Sequence, residues 1–165
     1  MPRILGIDPG SRITGFGVVE GSGNQLRHIA SGCLRLPTGA FPERLRVLYR
    51  ALTEVIAEHR PEAAVVEQVF VSRNPDSALK LGQARGAAIC ACVNAGLPVA
   101  EYTPGEIKQA LVGHGRAGKA QVGYMVRMLL RLDTTPAEDA GDALAAAMCH
   151  LHQADVRARL TRAGA

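Results

Sequence analysis

Apolar and polar positions alternate with two different periods along the chain, and the change from one to the other marks its organisation. Residues 3–8 form an apolar run that stops at Asp8-Pro9-Gly10, a turn signal. Thr14 to Glu20 is rich in small and β-branched residues, Gly21-Ser22-Gly23-Asn24 is a turn, and Gln25 to Leu36 alternates, so three strands joined by short loops are predicted. Strands so joined are antiparallel. From about residue 42 the period becomes helical, with Leu45, Leu48, Leu52, Val55 and Ile56 on one stripe up to His59. Ala63 to Glu67 is a short buried strand, 76–95 a helix with Gly96 at its C-cap, and Pro98 to Tyr102 a last strand. Helices over about 104–112, 119–131 and 136–153 complete the order. Strands four and five are each reached through a helix and are expected to lie parallel to strand one.

Composition fits this reading. The chain has 165 residues, 47% hydrophobic and 21% charged, the size and balance of one globular domain. One domain over 1–154 is expected, followed by a basic, flexible tail over 155–165 that carries Arg157, Arg159 and Arg162. The balance excludes collagenous, coiled-coil and disulfide-framework proteins. No apolar run is long enough to span a bilayer, and the first residues read as a strand and not a signal peptide, so a cytoplasmic protein without membrane association is expected. Cys33, Cys90, Cys92 and Cys149 lack zinc-site spacing and are expected as free thiols, with Cys90 and Cys92 buried in an apolar helix. His150 and His152 point to different helix faces and are read as ordinary helix residues.

Four acids stand out by position. Asp8 ends the first strand and Glu67 the fourth, so in a sheet where these two are parallel neighbours both fall at the carboxyl edge. Asp139 and Asp142 are three apart and share a face of the last helix. That helix is expected to start with Thr135 as N-cap, Pro136 in the first turn and Glu138 closing a capping box, with Ala140 and Gly141 allowing close backbone approach. The run Ala143 to Ala147 can pack only against another element. Carboxylates converging in one cleft call for hard divalent cations, and a pair of such ions suits in-line phosphoryl displacement. Each acid also has a bland reading, as a turn residue or as an answer to the helix dipole, and spacing alone leaves the two readings balanced.

The run Gly113-His114-Gly115-Arg116-Ala117-Gly118-Lys119 matches G-x-G-x-x-G, but helically spaced residues precede it where a strand is needed, and Ala120 stands where a phosphate loop has Ser or Thr. A mobile basic loop touching a polyanion is the better expectation. Residues 103–131 carry Lys108, Arg116, Lys119, Arg127 and Arg131 against Glu106, which is 5 − 1 = +4, the same as the net charge of the whole chain. A solvated helical face would give the same pattern. Aromatics make only 4% of the chain, so a ring just past the fourth strand, Phe70, is either core or a base-stacking platform.

Leu5-Gly6-Ile7-Asp8-Pro9-Gly10, Val66-Glu67-Gln68-Val69-Phe70, the stretch Asp76 to Gly86 and the stretch Glu138 to Ala145, in this order and spacing, resemble the RuvC family of bacterial Holliday-junction resolvases. The resemblance implies an RNase H-like α/β fold: a five-stranded mixed sheet, three antiparallel strands then two parallel, flanked by helices. It implies an endodeoxyribonuclease that nicks two opposed strands of a four-way DNA junction symmetrically in recombination and repair, leaving 5′-phosphates. Mg²⁺ or Mn²⁺ is implied as cofactor, two ions per site, held by Asp8, Glu67, Asp139 and Asp142. Lys119 matches a family lysine assigned to catalytic support and phosphate contact, Lys108 one assigned to phosphate contact, and Phe70 an aromatic that stacks on a base. Arg116 adds to the DNA-binding surface. A homodimer is implied, for which the small-residue helix 76–95 offers one face, although packing on its own sheet accounts for that helix nearly as well. A RuvA–RuvB branch-migration complex is the implied partner. Three rivals stand beside this reading: an actin-like ATPase, for which 165 residues leave no room; a Yqgf-like nuclease acting on ribosomal RNA precursors; and a non-catalytic DNA-binding module.

Overall fold

A computed structural model gives the fold, and it describes residues 1–68 and 73–164. Phe70 therefore lies outside the described residues. The elements run β1 (Arg3–Asp8), β2 (Ile13–Ser22), β3 (Gln25–Arg35), α1 (Phe41–His59), β4 (Ala63–Glu67), α2 (Pro75–Asn94), β5 (Val99–Tyr102), α3 (Pro104–Val112), α4 (Lys119–Leu129) and α5 (Glu138–Ala163). They form one five-stranded sheet in the order β3-β2-β1-β4-β5. β2 is antiparallel to β1 and to β3, while β4 is parallel to β1 and to β5. This is the mixed sheet expected from loop lengths, since hairpins join the first three strands and helical crossovers reach the last two.

Both faces of the sheet are covered, so β1 and β4 read as continuous apolar runs. Ile4 and Val65 point to one face, against α3, α4 and α5. Leu5, Ile7, Ala64 and Val66 point to the other, against α1 and α2. The same period of two carries Asp8 and Glu67 onto the face of Ile4 and Val65, which is the α5 face. Side chains on the two strands thus sort by parity into a core layer on each side and a pair of acids at one edge.

α5 lies close on that face because the sheet has glycine beneath it. A Cβ built on Gly6 would sit 1.8 Å from the backbone oxygen of Ala143, and one on Gly15 2.0 Å from that of Asp139. One on Gly17 would meet the Leu144 side chain at 2.7 Å. Gly6 pairs with Gly17, and Gly15 with Asp8. The missing side chains let the helix backbone touch the strands. Gly141, by contrast, has only the ring of Pro136 near its built Cβ, at 3.6 Å. The close approach thus rests on the strand glycines and on buried Ala140, whose backbone nitrogen lies 2.9 Å from the Cβ built on Gly15, while Gly141 has no part in it. The run Ala143 to Ala147 is buried throughout, as expected.

Three local expectations are corrected. α5 starts at Glu138 with Ala137 as N-cap and no side-chain cap, so Thr135, Pro136 and Glu138 do not form the predicted capping box. Glu138 is instead paired with Lys119 across the site. α5 also runs to Ala163, ten residues beyond the expected end at 153. Its last turns are held by an Arg159–Asp155 pair at 2.8 Å and by Arg157, which donates to the Tyr102 hydroxyl at 3.0 Å. Finally, Cys90 is exposed while Cys92 is buried; all four cysteines are free thiols. No helix among the described residues is long and apolar enough to cross a membrane.

Candidate active site

The Asp8-Pro9-Gly10 turn after β1 is pinned by Thr14, which is fully buried. Its hydroxyl donates to the Gly10 carbonyl at 3.1 Å and accepts from the Gly10 amide at 3.2 Å. This closes the turn on its own strand and leaves the Asp8 carboxyl over the α5 face. Ile7 is in register with Val66, so Glu67 continues β4 alongside Asp8. The Glu67 end of β4 is held from its other side, where Gln68 donates its amide to the Tyr102 carbonyl at 2.8 Å. Asp139 and Asp142 reach the same place from the first turns of α5, whose nearness the strand glycines permit.

All four carboxylates are half-buried, and the raised Asp8, Glu67 and Asp142 show how closely the cluster is drawn together. The Asp8 carboxyl is pushed up to about 8, first by burial, then by the negative charges of Asp142, Glu67 and Asp139, and by its hydrogen bond to Asp139. Glu67 is raised by burial and by Asp142, against the pull of Lys119 and Lys108. Burial also raises Asp142, again opposed by Lys119 and, more weakly, Lys108. In the metal-free protein, then, Asp8 keeps its proton near neutrality and donates it to Asp139. That is the expected response of a buried carboxyl crowded by other acids.

A cleft of about 290 Å³ opens beside these acids, lined by Glu67, Asp142, Lys108, Lys119, Ile107 and Val122 among others. Its opposite wall comes from α3 and the start of α4, the basic segment picked out in the sequence. Lys119 is exposed and pairs with Glu138 at the mouth. The structure therefore brings together Asp8, Glu67, Asp139, Asp142, Lys108 and Lys119. Arg116 is exposed on the loop between α3 and α4 and is not part of the cleft wall. That loop follows a helix, not a strand, which removes the context for a nucleotide-binding loop. It is anchored by buried Ala117 and opens on Gly113, whose φ of 93° forms the left-handed C-cap of α3. Glu138 was missed as a site residue. Its signal was its place directly before Asp139, but the sequence assigned it to a helix cap.

The donor set is all carboxylate oxygen, which suits a hard divalent cation, and the raised Asp8 marks negative charge that such an ion would neutralise. Among the described residues no three metal-ligating side chains stand close enough to form a ready-made coordination shell. The acids ring the site rather than forming a cage.

A mixed sheet of this order, with acids at the ends of β1 and β4 and on the final helix against it, defines an RNase H-like nuclease, a class built for metal-dependent phosphodiester hydrolysis. Within that class the match is specific. Residues 4–150 match the family model described as crossover junction endodeoxyribonuclease RuvC. The chain is 90% identical over 165 residues, all of both chains, to the crossover junction endodeoxyribonuclease RuvC of Alkalilimnicola ehrlichii. It is 65% identical to that of Halorhodospira halophila over 153 residues, 92% of this chain and 91% of the relative. Its fold superposes on Thermus thermophilus RuvC in complex with a Holliday junction substrate with a TM-score of 0.90, at 38% identity, covering 95% and 97% of the two chains. The chain belongs to the RuvC family of metal-dependent nucleases. The ribosomal-RNA-processing alternative is not favoured by these relatives.

Proposed function

We propose that this protein resolves Holliday junctions by hydrolysing one phosphodiester in each of two opposed strands. The observation that carries the reading is the facing of two charge populations across one cleft: Asp8, Glu67, Asp139 and Asp142 on the sheet and α5, Lys108 and Lys119 on α3 and α4. An acid site alone would repel a DNA backbone. A basic wall alone would bind DNA without cutting it.

Asp8, Glu67, Asp139 and Asp142 would hold Mg²⁺ or Mn²⁺, two ions per site. Bound there, the ions would activate a water and stabilise the leaving 3′ oxygen, giving a 5′-phosphate. The protein's own groups do the rest. The carboxylates would hold the ions, and the strand glycines keep α5 close enough to the sheet to bring Asp139 and Asp142 beside Asp8. Lys119 presents its ammonium at the mouth of the cleft, where it offsets charge building on the phosphate. Lys108 anchors a neighbouring phosphate, and Arg116 extends the basic surface outwards. Phe70, placed in sequence just after Glu67, is assigned to stacking on a base near the cut.

Cutting two opposed strands symmetrically calls for two identical sites, so the acting form is a homodimer. α2 supports this: Leu79 and Val93 are 64% and 57% exposed on it, and Gly82 and Gly86 have open space above them. Sedimentation at micromolar concentration is expected to give a dimer, and a monomer there overturns this part of the reading. The protein would act in the cytoplasm, on junctions presented by a RuvA–RuvB branch-migration complex.

The test is cleavage of a synthetic four-way junction with and without Mg²⁺, beside linear duplex, single strand and a ribosomal RNA precursor. Paired nicks in the junction alone, dependent on metal, are expected. Equal cutting of linear duplex, or preference for the RNA, overturns the reading.

A further inference from the structure

A second cavity, of about 460 Å³, adjoins the cleft and shares Lys119, Val122 and Asp142 with it. It runs along α4 to Thr135 and Pro136, just before α5, and to Gly141 in the first turns of α5. Beyond those shared residues, nothing in the cleavage chemistry uses it. Tyr124 lines it and is 61% exposed, in a chain with three tyrosines, three phenylalanines and no tryptophan. A tyrosine so exposed contributes little to the core and presents a flat apolar face at the surface. One turn further along α4, Arg127 lines the same cavity, its guanidinium fixed by donation to the carbonyls of Leu132 at 3.3 Å and Asp133 at 3.0 Å. Gly123, beside Tyr124, has nothing within 4 Å of a built Cβ, so the wall next to the ring is open. The acids of the cavity, Glu138 and Asp142, both lie beside Lys119, which pairs with the first and draws on the second.

An open aromatic face in a cavity also lined by the cations Lys119 and Arg127 is the chemistry of a nucleotide site: the ring takes a base, and the cations take the flanking phosphates. We propose that this cavity is a subsite for a nucleotide of the bound strand next to the scissile phosphate, with Tyr124 as its stacking platform. The subsite rests on the junction-resolving reading, because the shared wall with the cleft is what connects it to the cut strand. It would give the protein a second base contact besides Phe70. Tyr124 is here a substrate-binding residue, remote from the reacting atoms.

The experiment uses a four-way junction with 2-aminopurine substituted in turn at each of the few nucleotides flanking the mapped cut. Fluorescence is read with Ca²⁺ replacing Mg²⁺ so that the junction stays whole, and cleavage is read separately in Mg²⁺. Wild type should quench one position, Tyr124→Phe should keep the quenching, and Tyr124→Ala should lose it. Tyr124→Ala should also raise KM roughly 5- to 100-fold while kcat changes little. A melting temperature equal to wild type accompanies this, since the ring is exposed. Unchanged quenching and KM in Tyr124→Ala, with a wild type that cuts normally, overturn the subsite and leave the resolvase reading standing. A wild type that neither binds nor cuts the junction overturns both.

Discussion

Asp8→Asn should abolish junction cleavage, leave junction binding close to wild type, and make the metal-free protein more stable at pH 8. The first two effects follow from the site. All three other acids act on Asp8, so replacing its carboxylate removes one of the four groups proposed to hold the metal from the place where they converge. Loss of roughly 100-fold or more in kcat is expected. On the proposed reading junction affinity rests mainly on the basic wall, which the change leaves in place. A variant that cuts normally but binds poorly would overturn the assignment.

The third effect comes from linkage. The Asp8 carboxyl titrates at about 8 in the folded metal-free protein, against 3.8 for an unperturbed aspartate. Between these values the native state holds a proton that the unfolded state has lost. Stability therefore falls as pH rises through that window, is undiminished below the lower value, and bears the full loss above the upper one. The cost at pH 8 is on the order of a few kcal/mol, allowing for the part-open site. Asparagine carries no charge and can still donate to Asp139, so it escapes the loss. Thermal melts in EDTA should show Asp8→Asn several degrees above wild type at pH 8, with the gap closing towards pH 4. Adding Mg²⁺ should reverse the order, because binding stabilises the wild type and not the variant. An Asp8→Asn protein that melts with wild type at every pH in EDTA would mean the four carboxylates do not interact as their burial and proximity imply.

Much of this site was legible in the sequence because it depends on chain order and parity. Short loops after β1 and β2 forced antiparallel pairing, and helices before β4 and β5 forced parallel pairing, so Asp8 and Glu67 had to meet at one edge. The three-residue spacing of Asp139 and Asp142 put both on one face of α5. What was not legible was decided by contacts between distant residues. The start of α5 was misplaced because Glu138, a good capping partner by spacing, is taken by Lys119 from α4. Its end was misplaced because Arg157 reaches the Tyr102 hydroxyl on β5, a tether that no local propensity shows. Tyr124 drew no notice, since an isolated tyrosine on a predicted helix has no spacing to mark it. The strand glycines did leave a trace. Gly15 and Gly17 are two apart in a strand, which in a buried sheet signals a neighbour's backbone at close range.

That trace supports the other large expected effect, a contrast between two glycine-to-alanine changes, one in the sheet–helix contact and one away from it. In Gly15→Ala the new Cβ would lie 2.0 Å from the Asp139 oxygen and 2.2 Å from its carbonyl carbon. Both are backbone atoms, so no side chain can turn away, and either β2 or the first turn of α5 must move. Overpacking of this kind costs about 1–3 kcal/mol or more. The helix is the freer partner, since its N-cap makes no side-chain bond. Its displacement would carry Asp139 away from Asp8 and draw Asp142 with it. The variant should therefore melt well below wild type, and kcat should fall much further than junction affinity. Gly141→Ala, on the same helix, meets only the Pro136 ring at 3.6 Å. There alanine relieves the entropy cost of a helical glycine and should be neutral or stabilising by about 0.5–1 kcal/mol. Thermal melts of the two variants, with cleavage kinetics, decide the matter. If Gly15→Ala keeps both stability and kcat, the strand glycines are not what sets the distance between the sheet acids and the helix acids.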